Sequence, residues 1–597
     1  LVAINVNESA SQKVREPDPV TTITGFVGDS LTVTGTRSAF NDQVQLSTVT
    51  EVTNNGVPNN PINPLTITLG ELADHPAELV RIVGPIFPKP GDILFGNSNY
   101  NLTDSDGNGQ LRIDNDVDAL VGLGQPASCG EVVGVVGRFF ETYQLLPRSQ
   151  SDLACAGPYV PLGSNINIDR DKTFDVVTWN IEWFGEETNS PAAGDPMSDA
   201  IQRDSVRRVL VDLNADIIAV EEIVDVPLFE ELIGSLSEYD YILSPATSRP
   251  DATDGLQQKV GFIYNTNTVS VIQTRPLLES IHPLFNGGDD SALSGYPVED
   301  KTRFYASGRL PFLMNADITI EGVTKRFDIV ALHARANSGN GAQERYDMRK
   351  FDVEVLKDSL DVQFSDSNLI LLGDFNDDVD VTVADITATV SSYEAYNLDT
   401  ENYSIISRVL SEGGFRSFAF RENMIDHIAV SNEVAPTYIE ETASVGYEFY
   451  DSDYTNTTSD HFPVSARFIL DEFRLDSVTT TGVMCAGEAN GSATALLSGG
   501  VAPYTYLWSD GQATATASGL SGGEYTLTVL DAMGAVAEGS VTISEPEMLK
   551  VDYTADTTIY LGYAPLANAT IGVTTIEGGI PPYSYEWSTG ETSARLK

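Results

Sequence analysis

Cysteine and basic residues are both scarce in this chain of 597 residues. Its 3 cysteines exclude a disulfide-dense scaffold and a zinc site of the CxxC type. Lysine and arginine number 34 against 86 aspartates and glutamates, and the net charge of −52 argues against a nucleic-acid binder that depends on overall attraction. A solvated acidic surface is the ordinary interpretation of this charge. No apolar run reaches the length of a membrane span, so the sequence predicts no transmembrane segment.

The few cysteines still carry information about the compartment. Cys129 and Cys155 lie in one β-rich segment and could form a disulfide in an oxidising compartment. Cys485 would then have no partner. This pattern favours a protein that is exported from the cell.

The chain is too long for one hydrophobic core, and its composition changes along its length. Residues 1–62 and 63–160 contain short alternating runs such as TTITGFVGDSLTVTG and EVVGVVGRF, which predict two β modules. Residues 172–471 alternate strands of buried type, such as FDVVTWNI, with helical stretches such as GAQERYDMRKFDVEVLKDSL. This alternation predicts an α/β domain whose strands are covered on both faces.

An internal repeat follows the α/β region. GGVAPYTYLWSDG at 499–511 returns as GGIPPYSYEWSTG at 578–590. We expect residues 473–547 and 548–597 to form two small β-sandwiches, the second of them truncated, each with its tryptophan in the core. These tryptophans are Trp508 and Trp587.

Both sets of flanking segments are similar to known modules. Residues 1–62, as a partial module, and residues 63–160 resemble the OB-type barrels appended to bacterial extracellular nucleases. OB barrels bind single strands through aromatic platforms, but few aromatics stand out here, and a spacer role stays open. The C-terminal repeats resemble SprB-type repeats of secreted and surface proteins from gliding bacteria. That resemblance implies a bacterial protein outside the cell or at its surface, associated with the surface or an extracellular matrix.

The apolar strands of the α/β region end in polar residues where the chain leaves the sheet. Sites in α/β sheets lie beyond the carboxyl ends of strands. Taken singly, each residue has an ordinary role, such as a turn cap for Asn180 or a hydrogen-bonded core position for His333. Six strands or segments that end in polar residues are hard to explain by packing alone. Oxygen ligands without cysteine are the type that binds a hard cation such as Mg²⁺ or Ca²⁺. The residues are Asn180, Glu222, His333, Asp374 with Asn376, Asp426, and Asp460 with His461.

The motifs around these residues resemble the endonuclease/exonuclease/phosphatase superfamily, in the same order along the chain. Within that superfamily, the stretch KVGFIYNTNTVSVIQT and the VALH strand most resemble the deoxyribonuclease I branch. The resemblance covers about half the chain and implies a four-layer α/β sandwich that hydrolyses phosphoester bonds with a metal. The motifs are WN at 179–180, EE at 221–222, LH at 332–333, GDFN at 373–376, IDH at 425–427 and SDH at 459–461.

The resemblance also implies roles for single residues. Glu222 would be the principal metal ligand, aided by Asn180 and Asp460. The ion would be Mg²⁺, with Ca²⁺ or Mn²⁺ as alternatives. His461 would be the general acid/base beside the scissile phosphate, polarised by Asp426.

Further roles concern the water and the substrate. Asp374 would orient or deprotonate the attacking water, and Asn376 would donate to the phosphoryl oxygens. His333 would be the second catalytic histidine of the deoxyribonuclease I branch. Arg309, in SGRLPF, resembles an arginine that faces a phosphate. Arg335 lies beside the LH motif and is a second candidate for substrate binding.

The chain also departs from the family pattern. Glu221 replaces the usual glutamine before the metal ligand, and its negative charge is expected to tighten metal binding. Gln258 stands near the place of the glutamate that supports the first histidine, so His333 is expected to be less polarised than His461. Asp377 and Asp378 have no family role and are expected in a solvated loop.

The module context favours a secreted nuclease that hydrolyses phosphodiester bonds of DNA, with RNA as a further candidate substrate. A phosphodiesterase or phosphatase acting on lipid or inositol phosphate head groups would use the same core. An abasic-site repair endonuclease would too, but it has no use for adhesin-like repeats. An adhesin whose α/β domain has lost its activity is the alternative from another class.

Overall fold

The chain divides into two compact units, Leu1–Phe468 and Ile469–Lys597. Among the described residues, no helix is both long enough and apolar enough to cross a membrane. Most of the first predicted β module lies outside those residues, and its described strands are Gln12–Lys13, Thr22–Ile23, Leu31–Phe40 and Gln43–Asn54. The computed structural model describes residues 12–13, 22–23, 31–40, 43–54 and 63–596, apart from 165, 167, 338–340, 471–472, 501–502, 533 and 557–569.

Residues 63–160 contain a six-stranded β module. The period of two that its sequence shows is visible in strand Leu79–Val83, where Val80 and Ile82 are buried and Arg81 between them is half-buried. The burial of one face of each strand gives the module its own apolar core. In sheet order, the strands are Leu65–Ile67, Leu79–Val83, Glu131–Phe139, Thr142–Leu146, Asn108–Ile113 and Ser98–Thr103.

A disulfide joins Cys129 to Cys155 beside this core, which confirms the pairing expected from the sequence. Cys485 is free and exposed. A small two-stranded pair, Leu123–Gly124 with Gly157–Pro158, lies in the same region of the module.

The α/β region contains two six-stranded sheets that pack face to face. Aromatic rings meet between them: Phe174 lies 5.1 Å from Phe327, centroid to centroid. In order, the first sheet contains Tyr239–Leu243, Lys259–Asn265, Ile217–Ile223, Phe174–Phe184, Val464–Phe468 and Ser444–Val445. The second contains Val269–Pro276, Phe312–Ile320, Val323–His333, Leu369–Asp374, Asp426–Ser431 and Tyr403–Ile405.

Helices cover the outer faces of both sheets. Ser198–Leu213 packs Val206 and Leu210 against the first sheet, and Ala342–Gln363 packs Leu356 against the second. The result is a four-layer α/β sandwich, so the predicted fold class is confirmed. The helices are Ser198–Leu213, Val226–Gly234, Phe304–Gly308, Ala342–Gln363, Glu394–Leu398, Arg408–Glu412 and Tyr454–Thr457.

In the C-terminal unit, the first repeat contains two three-stranded sheets around Trp508, which is buried as expected. Trp587 of the second repeat is only half-buried, because its described strands form one three-stranded sheet with no facing sheet among them. The strands are Arg474–Thr481, Gly491–Ser498 and Thr516–Leu520; Thr505–Trp508, Gly523–Leu530 and Val536–Ile543; and Lys550–Asp556, Thr570–Glu577 and Arg595–Leu596.

The turn around the two tryptophans is nevertheless the same. The indole N–H of Trp508 donates to the carbonyl of Thr514 at 2.9 Å, and that of Trp587 donates to the carbonyl of Ser593 at 2.7 Å. Local hydrogen bonds therefore fix this turn in both repeats, whatever the depth of burial.

Candidate active site

Strand register brings the predicted residues of the second sheet to one level. His333 pairs with Asp374 between parallel strands, and Asp374 pairs with Asp426 between antiparallel strands. Asn180 lies at the corresponding end of a strand in the first sheet. Its side-chain N–H donates to Asp374 Oδ2 at 3.1 Å, across the interface between the sheets. The site is therefore built where both sheets end together.

Gly373 allows this close approach. Its φ is +149°, and a Cβ at this position would lie 1.8 Å from the carbonyl oxygen of Leu332. Only glycine fits that backbone, so the glycine of GDFN is needed to set Asp374 beside His333.

Asp426 and His461 form the tightest pair in the site. Both are buried, and Asp426 Oδ2 lies 2.7 Å from His461 Nδ1. The indole of Trp179 and the hydroxyl of Tyr454 donate to the backbone carbonyl of His461 at 3.1 and 2.7 Å. These bonds fix the backbone that carries the imidazole ring. Burial alone would lower the pKa of His461, but the nearby carboxylates, Asp426 first, hold that pKa well above its ordinary value.

Asp374 lies at the centre of the site. Its Oδ1 accepts from the backbone N–H of Asn376 at 2.8 Å, and its Oδ2 lies 3.2 Å from His333 Nε2 and 4.0 Å from His461 Nε2. Burial and the Asp426 carboxylate raise the pKa of Asp374 to about 7. A carboxylate with this pKa can take up a proton near neutral pH.

His333 is placed as a neutral donor. Burial, with the charges of Arg309 and His461, lowers the pKa of His333 well below its ordinary value. Its Nε2 faces Asp374, whereas Nδ1 has no hydrogen-bond partner among the described residues. Gln258 accepts a hydrogen bond from Arg309. The geometry fits the expectation that His333 is less polarised than His461.

Two of the three predicted metal ligands, Glu222 and Asp460, are partly exposed beside this cluster, whereas Asn180 is buried within it. Glu222 Oε1 is 3.7 Å from His333 Nε2, and Asp460 Oδ1 is 3.9 Å from His461 Nε2. A further carboxylate, Glu182, was not predicted from the sequence, because its left-handed φ of 44° takes it out of the regular alternation of strand faces. Burial and the charges of Asp460 and Glu222 raise the pKa of Glu182 to about 9.

These carboxylates fit a divalent cation. Glu182 Oε2 is buried without a hydrogen-bond partner among the described residues, and burial raises the pKa of Asp460 to about 6. A hard cation with oxygen ligands would satisfy both groups. Among the described residues, Asp374, Asp426 and His461 are the group whose ligand atoms all lie within 4.8 Å of one another. The bond between Asp426 and His461 makes that group better suited to proton transfer.

The backbone is strained at these positions. Non-glycine residues with left-handed φ cost ~1–3 kcal/mol each and cluster at functional sites. Four such residues lie in the site: Glu182 at 44°, Trp183 at 47°, Asn376 at 52° and Glu222 at 63°.

The two predicted substrate arginines are turned toward the protein. Arg309 is buried and donates to the carbonyls of His333 and Ala334 at 3.1 and 2.9 Å. Arg335 is buried as well and donates to the carbonyl of Arg303. Both side chains support the loops at the site, and their contact with a phosphate stays a prediction.

Glu221 lies in a buried position that disfavours the charge expected of it from the sequence. The side chain is fully buried, its Oε1 accepts from Thr178 at 3.3 Å, and its Oε2 has no partner among the described residues. Burial, with the charges of Asp426 and Asp374, raises the pKa of Glu221 well above its ordinary value. Burial therefore opposes the negative charge that was expected to tighten metal binding.

The expectation that Asp377 lies in a solvated loop is wrong. Its carboxylate is buried, lies 3.0 Å from Arg349 Nη2, and accepts from Ser392 and Thr382. It is a structural ion pair that anchors the loop after GDFN. Asp378 is only half-buried.

Replacing Arg349 with methionine is expected to lower the free energy of unfolding by about 3–5 kcal/mol, because Asp377 would keep a buried charge with no counterion. Urea unfolding measures the change. Arg408→Met removes an exposed pair with Glu412, 2.8 Å apart, and should cost about 1 kcal/mol or less. Equal losses in the two variants would contradict the structural role of the Asp377 pair.

Residues 177–461 match the model of the Endonuclease/Exonuclease/phosphatase family, and residues 477–513 and 564–592 match the SprB repeat. This part of the chain is an endonuclease/exonuclease/phosphatase domain. The predicted recognition is thus confirmed for the domain and for the C-terminal SprB repeats. Membership makes the domain a phosphoester hydrolase. No curated protein matches the chain.

Solved structures similar to the chain align with about half of it. The catalytic domain of human Nocturnin is 14% identical over 50% of this chain and 96% of that chain, with a TM-score of 0.33. A humanized TDP2 from D. rerio is 15% identical over 50% and 99%, with a TM-score of 0.32. An endonuclease/exonuclease/phosphatase from Bacteroides vulgatus is 16% identical over 50% and 99%, also with a TM-score of 0.32.

Proposed function

We propose that the domain is a secreted, metal-dependent nuclease that hydrolyses phosphodiester bonds of DNA, with RNA as a second substrate. The observation that carries this proposal is the convergence of the hydrogen-bonded pair Asp426 and His461 with a central carboxylate, Asp374, in one buried cluster. The Cys129–Cys155 disulfide and the SprB repeats support export to the cell surface or beyond it.

The arrangement divides the proton transfers between two groups. Asp374, with its pKa near neutrality, takes a proton from the water whose oxygen attacks phosphorus. His461, held as an imidazolium by Asp426, gives a proton from Nε2 to the leaving oxygen as its bond to phosphorus breaks. Neutral His333 holds Asp374 in place through Nε2.

The charge on the phosphoryl oxygens must also be stabilised. The side-chain amide of Asn180 donates to Asp374 Oδ2 at 3.1 Å, and that of Asn376 donates to the carbonyl of Ala334 at 3.2 Å. Each would turn from this partner to donate to a phosphoryl oxygen. Mg²⁺ would be held by Glu222 and Asp460 with Asn180, joined by Glu182, and when bound it supplies positive charge to those oxygens. Ca²⁺ or Mn²⁺ would satisfy the same oxygen ligands.

Two aromatic rings beside the acid support a nucleic-acid substrate. The ring of Phe418 lies 5.3 Å from that of His461, and the ring of Phe420, which is 64% exposed, lies 5.8 Å from Phe418. Exposed aromatic rings next to a cleavage site can stack on a base.

The test compares plasmid DNA, RNA and sphingomyelin vesicles as substrates of the full chain with Mg²⁺, with EDTA, and with the His461→Ala variant. Plasmid nicking that needs Mg²⁺ and disappears in His461→Ala is the expected result. Degradation of sphingomyelin alone would replace the nuclease with a lipid-directed enzyme. No turnover of any substrate would favour an adhesin.

A further inference from the structure

The β module of residues 63–160 contacts two parts of the α/β domain, residues 445–452 and loop 414–423. At the first, the N–H of Gly96 donates to the Tyr450 hydroxyl and the side chain of Asn115 donates to the carbonyl of Ser452, both at 3.3 Å.

At loop 414–423, Lys89 Nζ donates to the carbonyl of Gly414 and to the Glu422 carboxylate, both at 3.1 Å. The guanidinium carbon of Arg416 lies 3.8 Å above the centroid of the Phe95 ring, a cation–π contact. Both module residues lie between two of its strands, outside its sheet.

Phe95 is an anchor in the α/β domain. It is 1% exposed, and its ring centroid lies 5.5, 5.2 and 6.0 Å from those of Tyr447, Tyr450 and Phe462. Phe462 directly follows His461 in the chain. The ring of Phe95 does not belong to the module's own apolar core, so its burial depends on this contact.

The opposite side of loop 414–423 holds the acid/base pair. Ser417 Oγ accepts from the backbone N–H of Asp426 at 3.0 Å, and the Ser417 carbonyl accepts from the N–H of Phe462 at 2.8 Å. Ala419 donates its N–H to the carbonyl of Asp460 at 2.8 Å. The loop therefore fixes the backbone on both sides of the bond between Asp426 and His461.

We propose that the module is a positioning part of the active site, in which Phe95 and Lys89 hold loop 414–423 in the conformation that aligns Asp426 with His461. The role rests on the proposed function for its activity readout. It differs from the spacer and the single-strand binder that the sequence allowed. Small misplacements of catalytic groups cost up to about 10²-fold in rate, so a loosened loop should be visible in kcat.

The first arm of the test measures kcat and KM of the full chain with plasmid DNA at a temperature well below unfolding. Phe95→Ala should lower kcat by roughly 10- to 100-fold with little change in KM, and Phe95→Leu should restore part of the loss. Lys89→Met, at a half-exposed position, should lower kcat by a smaller factor. Phe87→Ala is the matched control, because Phe87 is equally buried but belongs to the module's own core.

The second arm needs no activity. Amide hydrogen exchange in residues 414–423 and 459–463 should speed up in Phe95→Ala and stay unchanged in Phe87→Ala. Unchanged exchange and kcat in Phe95→Ala would overturn the proposal, as would equal effects of the two alanine variants. A chain that degrades no nucleic acid but shows the exchange difference would refute the proposed function and keep the positioning role.

Discussion

Asp426→Asn is expected to lower kcat by about 10³-fold with little change in KM. The asparagine keeps the shape of the side chain but removes the charge 2.7 Å from His461 Nδ1. That carboxylate opposes the effect of burial and holds the pKa of His461 above its ordinary value. Without it, the imidazolium that protonates the leaving oxygen loses its proton at lower pH. The alkaline limb of the kcat–pH profile should therefore move to lower pH in the variant.

The double variant Asp426→Asn with His461→Ala provides the control. Because the two residues act as a unit, the double variant should be no slower than His461→Ala alone. An unchanged kcat in Asp426→Asn would show that this pair does not act as the general acid. So would additive losses of kcat in the double variant.

Glu222→Gln is expected to weaken Mg²⁺ binding by more than about 10²-fold, since even partners outside the coordination sphere cost 10–100-fold in metal affinity. Glutamine keeps the hydrogen bond from the N–H of Trp183, 3.0 Å in the native protein, so the loop should stay in place. Calorimetric titration with Mn²⁺ measures the affinity directly. Activity against Mg²⁺ concentration gives the second measurement.

Glu221→Gln is the matched control, because it makes the same change one residue earlier. Burial raises the pKa of Glu221 and disfavours its charge, so this variant should bind metal within about threefold of the native chain. EDTA should abolish the activity of both. Equal loss of Mn²⁺ affinity in the two variants would mean that Glu222 is not a ligand.

Strand ends allowed the sequence to predict which residues come together. Register and direction are enough to bring His333, Asp374 and Asp426 together, since each ends or begins a buried strand of one sheet. It predicted less where the backbone leaves regular strand geometry. The left-handed φ of Glu222 breaks the alternation of faces, so the adjacent pair EE could not show which carboxylate would be buried.

Side-chain direction and long-range docking were also beyond the sequence. The motif SGRLPF predicted that Arg309 contacts a phosphate. Nothing in the motif shows that the guanidinium N–H groups of Arg309 would instead donate to the carbonyls of His333 and Ala334. The contact between Lys89 and Gly414 joins residues 325 positions apart. Such a contact follows no periodicity, and only the folded chain reveals it.

The aromatic anchor at Phe95 bears on how this enzyme can be dissected. A fragment beginning at residue 172 would contain every motif of the family and would still leave Tyr447, Tyr450 and Phe462 uncovered where Phe95 now packs. Contiguous apolar patches of this kind lead to aggregation in water. Insolubility of such a fragment would result from the absence of the β module, and a fragment that also includes residues 63–171 should be soluble.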